Sequence, residues 1–525
     1  MRYLKWNWNL GAGLILLLVL TPILVIVSHI PFLEHTLLQD IRDGFFKDYI
    51  YGSLMLLVGV LFLSFIFGAS TAYLVAFHTF FGAKVFEWLL ILPFAIPAYI
   101  MGLVWTDLMQ FEGIIPTLLG VNRRIDIMNI YGAIILLSFS LYPYVFFFLK
   151  NSFSKSLGNV LLSAQSLSSS SVKIFWKVIL PFCRLSIIGS LSLVGMETLS
   201  EFGLVSFFGV DSFSAGIYKE WNSSGGDETG AIALSGILIL FVFAILLIEF
   251  YQRGKRGYQR RQFMQAPKKK LKGVWAGLAF LWCALLTFFA FIVPIVWLLY
   301  WGVQDFSENL LKFSDAIYYS LLMSLGSAFL IVVIAYYLCF VVRLGNNKFA
   351  SIILKTCSLG YAVPGTVIAI GLLLFFSFIN TSILEKLSIS YALGGGFAIL
   401  FFGYLIRFLS SGIFSMESSY ANISKNIDYS SILLRPSPFA LFFKIHLPLL
   451  KNGLALVFVI VSIDILKELP ISTILSPSGY QTLFAAVFAY AENELIYNMA
   501  LPSLLIVLFA LIPTLMMQVL EKNRK

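Results

Sequence analysis

Charge is what this sequence has least of: only 12% of its 525 residues are Asp, Glu, Lys or Arg and 59% are hydrophobic, whereas a soluble globular domain carries about 25% charged residues. That balance excludes a soluble globular protein and makes the bilayer the chain's main solvent. Cysteine is scarce as well. Cys183, Cys283, Cys339 and Cys357 lie in or beside apolar segments with no paired spacing, which excludes a disulfide framework or a zinc site and leaves four small core residues. Of the four histidines only His29 and His35, either side of Pro31, are close in sequence, so no permanent metal site and no cofactor is expected. A Gly-x4-Gly-Lys-Ser/Thr loop is missing: the single Gly-Lys, Gly254-Lys255, is followed by Arg256. The chain therefore does not bind ATP by that means and is not expected to be an enzyme; energy must come from a partner or an ion gradient.

What is present is a series of apolar runs, each about the 20 residues a helix needs to cross a bilayer. Twelve are counted, at 10–30, 52–77, 85–109, 130–149, 185–199, 231–251, 274–301, 318–342, 351–378, 392–414, 453–466 and 499–520. The fold class this predicts is an all-α polytopic membrane protein, with the first run retained as a helix because no small-x-small cleavage site follows it. An even number of spans puts both termini on one side. With that side cytoplasmic, the inner segments hold more than three times as many Lys and Arg as the outer loops, as the positive-inside rule requires for a multi-pass protein of a bacterial inner membrane. The densest basic stretch, 252–273, follows the sixth run and reads as an anchor on lipid headgroups. The net charge of +10 thus needs no nucleic acid.

The sequence also repeats itself. An offset of 267 residues aligns Tyr51 with Tyr318, Gly59 with Gly326, Pro97 with Pro364, Leu180-Pro181 with Leu447-Pro448, and Glu201 with Glu468. Two parallel six-helix repeats follow, 1–251 and 274–525, joined by the basic linker, with a solute path expected at their interface. Pro97 and Pro364 each stand in an apolar run followed by a glycine, where they serve as a packing kink or a gate.

Two loops on the cytoplasmic side, 150–184 and 415–451, are long and occupy equivalent positions. Each contains a segment of helical apolar spacing, then aromatic residues, Leu-Pro, and a basic residue, Arg184 or Lys451. Just beyond each comes a shorter apolar helix ending in acid. Glu197 and Glu201 are four apart in the first, Asp464 and Glu468 in the second, so each pair shares one helix face. A carboxylate inside a bilayer costs roughly 2.5–3.5 kcal/mol and normally faces a bundle interior or a water-filled cavity. The four acids therefore either converge on a cation path from the two halves or sit as helix ends wetted by the outer solution.

These paired loops resemble the "EAA" loops of ATP-binding cassette importer permeases, whose pattern is Glu-Ala-Ala-x3-Gly, about nine residues, then Ile-x-Leu-Pro. In that family the loop forms a coupling helix that fits a cleft of the ATPase subunit. Leu162 and Tyr429 stand where the family has Glu, Ala164 and Ser431 where it has the second Ala, Ser168 and Arg435 where it has Gly, and Pro181 and Pro448 at the closing Pro. Both Glu and both Gly positions are thus replaced. Glu201-Phe-Gly and Lys467-Glu468-Leu-Pro further resemble the ferric-iron branch. The resemblance implies a fused permease that partners two ATPase subunits and a periplasmic solute-binding protein, and moves ferric iron or another small solute, thiamine and phosphonate being the alternatives. A gradient-driven twelve-helix secondary transporter is the competing class. It predicts a Gly-x3-Asp-Arg-type loop between the second and third helices, which His78-Thr-Phe-Phe-Gly-Ala-Lys84 lacks.

Overall fold

The structure of this chain, a computed structural model, describes residues 6–33, 44–110, 113–118, 120, 125–156, 171–222, 228–253, 268–304, 313–345, 348–384, 396–421, 423–433, 437–477, 479–493, 495 and 497–523. Its helices in the first half are α1 (Trp6–His29), α2 (Phe45–Phe77), α3 (Ala98–Leu108), α4 (Ile130–Ser156), α5 (Arg184–Ser200), α6 (Gly203–Phe207), α7 (Phe213–Asn222) and α8 (Glu228–Arg253). Those in the second are α9 (Val274–Thr287), α10 (Val293–Gln304), α11 (Ser314–Gly345), α12 (Lys348–Cys357), α13 (Gly365–Ile379), α14 (Phe397–Tyr420), α15 (Lys425–Leu433), α16 (Leu447–Leu466), α17 (Pro470–Leu475), α18 (Leu483–Glu492) and α19 (Ala500–Asn523). The protein is thus an all-α polytopic membrane chain. Among the described residues nine helices are long and apolar enough to cross a membrane, or ten when Ala83–Ala95 and α3, bent by 93°, count as one span. The expected runs 185–199 and 499–520 are helical too, as α5 and α19.

The chain packs into two compact units, and the division differs from a cut at the middle of the sequence. One unit comprises Met1–Gln39, Ile217–Ile239 and Glu308–Ala489; the other comprises Asp40–Gly216, Leu240–Ser307 and Tyr490–Lys525. In the first, α1 comes from the beginning of the chain and packs on α12 and α13, beside the bundle of α11, α14 and α16. In the second, α2, α4 and α5 form the bundle, and α10 packs on α3 and on α19 from the far end of the chain. Each unit therefore takes a helix from the start of the other half. Lipid tails are as apolar as Leu, so helix association relies on close packing through small residues. Gly371 of α13 is such a residue, since a Cβ there would stand 2.6 Å from the Pro22 carbonyl oxygen of α1. Gly68 of α2 does the same against α4, where a Cβ would reach 2.9 Å from the Tyr142 carbonyl.

Prolines shape what the apolar pattern leaves open. Pro97 and Pro364 precede α3 and α13 in the same extended conformation, φ −59° with ψ 145° and 146°. Proline at a helix start loses no hydrogen bond and blocks the helical conformation of the residue before it, so the chain turns a corner there. Of the four wide π-helical turns among the described residues, three, Phe175–Ile179, Phe288–Ile292 and Leu441–His446, end two residues before a proline, Pro181, Pro294 or Pro448; the fourth, Asn380–Leu384, does not. A proline inside a helix lacks the N–H that would satisfy the carbonyl one turn earlier, and a π turn absorbs the mismatch without ending the helix.

The basic linker is described from Lys268 onward. Lys269–Lys270 pairs in parallel with His78–Thr79, and Lys268 Nζ donates to the Val75 carbonyl at 3.0 Å. A cation at the last turn of α2 meets the carbonyls that a helix end leaves open.

Candidate transport path and coupling segments

The structure places two of the four sequence-predicted acids, Glu201 and Glu468, in two similar breaks, and the other two, Glu197 and Asp464, one turn earlier within α5 and α16. Helix α5 ends at Ser200 and the short α6 begins at Gly203; Glu201, in the break, accepts the Leu204 N–H at Oε1 over 3.0 Å. Helix α16 ends at Leu466 and α17 begins at Pro470; Glu468 accepts the Ile471 N–H at Oε1 over 3.2 Å. In both breaks a serine hydroxyl closes the turn on the glutamate's own carbonyl, Ser214 on Glu201 and Ser472 on Glu468. The first N–H groups of any helix lack intrahelical acceptors, and a carboxylate there both accepts them and favours the positive helix end. Each glutamate is thus a cap for the short helix behind it.

The two breaks differ in what faces them. Glu468 Oε2 lies 2.9 Å from Arg407 Nε on α14, with the side chains 4% and 8% exposed. Tyr404 and Ser411 on the same helix hydrogen-bond Ser472 Oγ at 2.6 Å and Asp464 Oδ2 at 2.7 Å. Residues 404, 407 and 411 recur at helical spacing, so one polar face of α14 meets the whole break. Gly365 of α13 closes the site, because a Cβ there would collide with Glu468 Oε1 and stand 2.6 Å from Arg407 Nη1. In the first half the position equivalent to Arg407 is Ser140, which donates to the Ile96 carbonyl at 3.4 Å, and that of Gly365 is Ala98. Arg407 stands inside the apolar run 392–414, whose hydropathy alone does not single it out; a lone arginine inside such a run is itself the signal of a buried partner.

Glu197 stands one turn before Glu201 and is partly exposed. In the same unit an open recess of about 290 Å³ is lined by Asp48, Tyr51, Asn129 and Asp211 with the backbone around Gly209. Its carboxylates, phenol and amide are hard oxygen donors.

Of the predicted coupling residues, Leu162, Ala164, Ser168 and Arg435 lie outside the described residues. Pro181 and Pro448 follow the π turns, exposed, and Tyr429 is exposed on α15 while Ser431 is buried. The start of the first segment is tied down by Lys150, whose Nζ lies 2.8 Å from Glu87 Oε1. Beside it Cys183 is buried, accepts the Ser152 hydroxyl at 3.2 Å and has its thiol pushed up by burial to about 11, which makes it inert. The four cysteines are all buried and free.

Broken apolar helices, corner prolines and polar breaks inside a polytopic helical chain are features that membrane transport proteins share. No protein-family model matches the chain. It is 28% identical over 484 residues to the Fe(3+)-transport system permease protein FbpB 2 of Haemophilus influenzae, covering 89% of this chain and 88% of that protein. It is also 24% identical over 463 residues to the ferric transport system permease protein FbpB of Actinobacillus pleuropneumoniae, covering 81% of this chain and 64% of that one. The chain is therefore similar to the permease components of ferric transport systems along most of its length, as its loops and acid-bearing helices lead one to expect.

Proposed function

We propose that this chain is the membrane permease of an ATP-driven importer of ferric iron, with twelve spans in two parallel six-helix repeats and both termini on the cytoplasmic side of a bacterial inner membrane. The observation that carries this is the similarity to an Fe(3+)-transport permease over 89% of the chain. A periplasmic binding protein delivers the ion, and two separate ATPase subunits dock on the segments 150–184 and 415–451. ATP-driven closure of the ATPases moves these segments and biases the transmembrane helices between outward-open and inward-open states. The paired π turns and Leu-Pro endings support that role, because both segments enter their helices, α5 and α16, through the same device.

A ferric ion is a hard cation, and oxygen ligands suit it. Glu197 and Glu201 line its path in the first half. Asp464 and Glu468, held by Ser411 and Arg407, serve the fold of the second half rather than the ion. Pro97 and Pro364 set the corners about which the helices rearrange.

Purification of the tagged chain from its own membranes tests the assembly. An ATPase should co-purify, and its hydrolysis should rise with the ferric-loaded binding protein and not with thiamine or a phosphonate. A complex whose hydrolysis answers to either of those solutes and ignores iron removes ferric iron as the substrate.

A further inference from the structure

One face of α11 grips the second cytoplasmic segment at three levels. At its end, Arg343 Nε donates to Asp428 Oδ2 at 2.7 Å, Nη1 to the Tyr420 carbonyl at 2.7 Å, and Nη2 to the Ile423 and Ser424 carbonyls at 2.9 and 3.4 Å. Those carbonyls belong to the last residue of α14 and the turn after it, where a helix end leaves acceptors open; Asp428 lies in the first turn of α15, where negative charge is favoured. A single guanidinium thus caps one helix and holds the next. His446, fully buried, brings Nε2 to 3.3 Å from Asp428 Oδ1 and sets its ring edge-on to Phe340. One turn further back, the Tyr336 hydroxyl donates to the Phe442 carbonyl at 2.7 Å, within the π turn Leu441–His446. The rings of Tyr336 and Phe340 pack on Phe442 with centroids 4.3 and 4.9 Å away. Residues 336, 340 and 343 are four and three apart, so both arms of the segment, before and after the region of Arg435, are fastened to one stripe of one helix.

At the equivalent sequence positions the first half carries none of this charge. The residues 267 positions earlier are Ala69, Tyr73 and Ala76 on α2, with Leu161 and Ile179 in place of Asp428 and His446.

The geometry points to Arg343 as a positioning residue that straps the second segment rigidly to α11, so that work done on residues 415–451 enters the membrane mainly through α11. The two coupling segments are then mechanically unequal. This rests on the importer function proposed above, in which an ATPase moves the segment. A guanidinium that bonds a buried carboxylate and three carbonyls together cannot be replaced by an ammonium, which lacks the planar fork.

The test uses the full chain with its ATPase and binding protein in proteoliposomes, and compares Arg343→Lys, Arg343→Met and Asp428→Asn with wild type. Three quantities are read: ATPase retained, ATP hydrolysed, and ferric ion taken up per ATP. In Arg343→Met and Asp428→Asn the ATPase stays bound and hydrolysis continues, while uptake per ATP falls about tenfold, within the range of one coupling interaction. Arg343→Lys, which keeps the charge and the fold, falls between these and wild type. Ala76→Ser, at the matching position of α2, leaves the ratio unchanged. Assembly, hydrolysis and uptake declining together at a constant ratio would make Arg343 merely structural and overturn the proposal, as would a wild-type ratio in all three variants. A wild-type chain that retains no ATPase at all overturns the importer function itself, a result distinguishable from both.

Discussion

Arg407 Nε stands 2.9 Å from Glu468 Oε2 inside the second-half bundle, and both side chains are more than nine-tenths buried. Two charges taken out of water are each expensive, and their attraction offsets this only with good geometry and further hydrogen bonds. The Ile471 N–H supplies one of these to the Glu468 carboxylate. The pair is therefore a unit whose members are worth little apart.

Removing one member exposes that dependence. Arg407→Met leaves a buried carboxylate without its cation and is expected to cost roughly 3–5 kcal/mol, whereas Arg407→Met with Glu468→Gln recovers most of the loss. Thermal unfolding in detergent of the singles and the double measures the coupling; strictly additive losses would show that the two do not act as a pair.

Glu201→Gln separates capping from transport. Glutamine keeps an oxygen for the Leu204 N–H, so unfolding stays near wild type, while iron uptake falls about tenfold for a loss of about 1.4 kcal/mol at a limiting step. Full uptake by this variant would leave Glu201 as a helix cap alone. Glu468→Gln is expected to act the other way, on stability first.

Gly365→Ala asks whether the bundle has room beside the ion pair. The added methyl meets Glu468 Oε1 and Arg407 Nη1, and overpacking of this kind costs about 1–3 kcal/mol. The matching residue of the first half is already Ala98, and Ala98→Gly is expected to cost about 1 kcal/mol or less. Equal effects at the two positions would mean that the second-half break has slack the geometry denies.

His78, just past the end of α2, has its pKa held below the ordinary 6.5 chiefly by burial, with nearby Lys269 acting in the same direction. The unfolded chain then binds the proton more readily than the folded one, so stability is fully present above pH about 6.5 and declines as pH falls through that value. Unfolding temperatures of wild type and His78→Gln between pH 8 and 5 should diverge in favour of the variant at the acid end. Parallel profiles would remove His78 from the pH dependence.

The spans were legible because a run such as 318–342 can be nothing but a helix in lipid, and α11 indeed covers it. Leu180-Pro181 and Leu447-Pro448 marked both segments from sequence alone, although the π turns before them come from the missing proline N–H in three dimensions. Two things were hidden. A helix such as α1 is apolar on every side, so nothing in its pattern says that it packs on α13 rather than on a neighbour from its own half. Partners such as Arg343 and Asp428 lie 85 residues apart, and their pairing exists only once α14 and α15 turn back on α11. Arg407 differs, since a charge amid 392–414 was visible and only its partner was not.

Energy source is the point on which the whole account turns. Proteoliposomes holding this chain with its ATPase should take up ferric ion from a loaded binding protein when ATP is present on the ATPase side, with no proton or sodium gradient. Uptake by the chain alone that follows an imposed gradient and ignores ATP would contradict it.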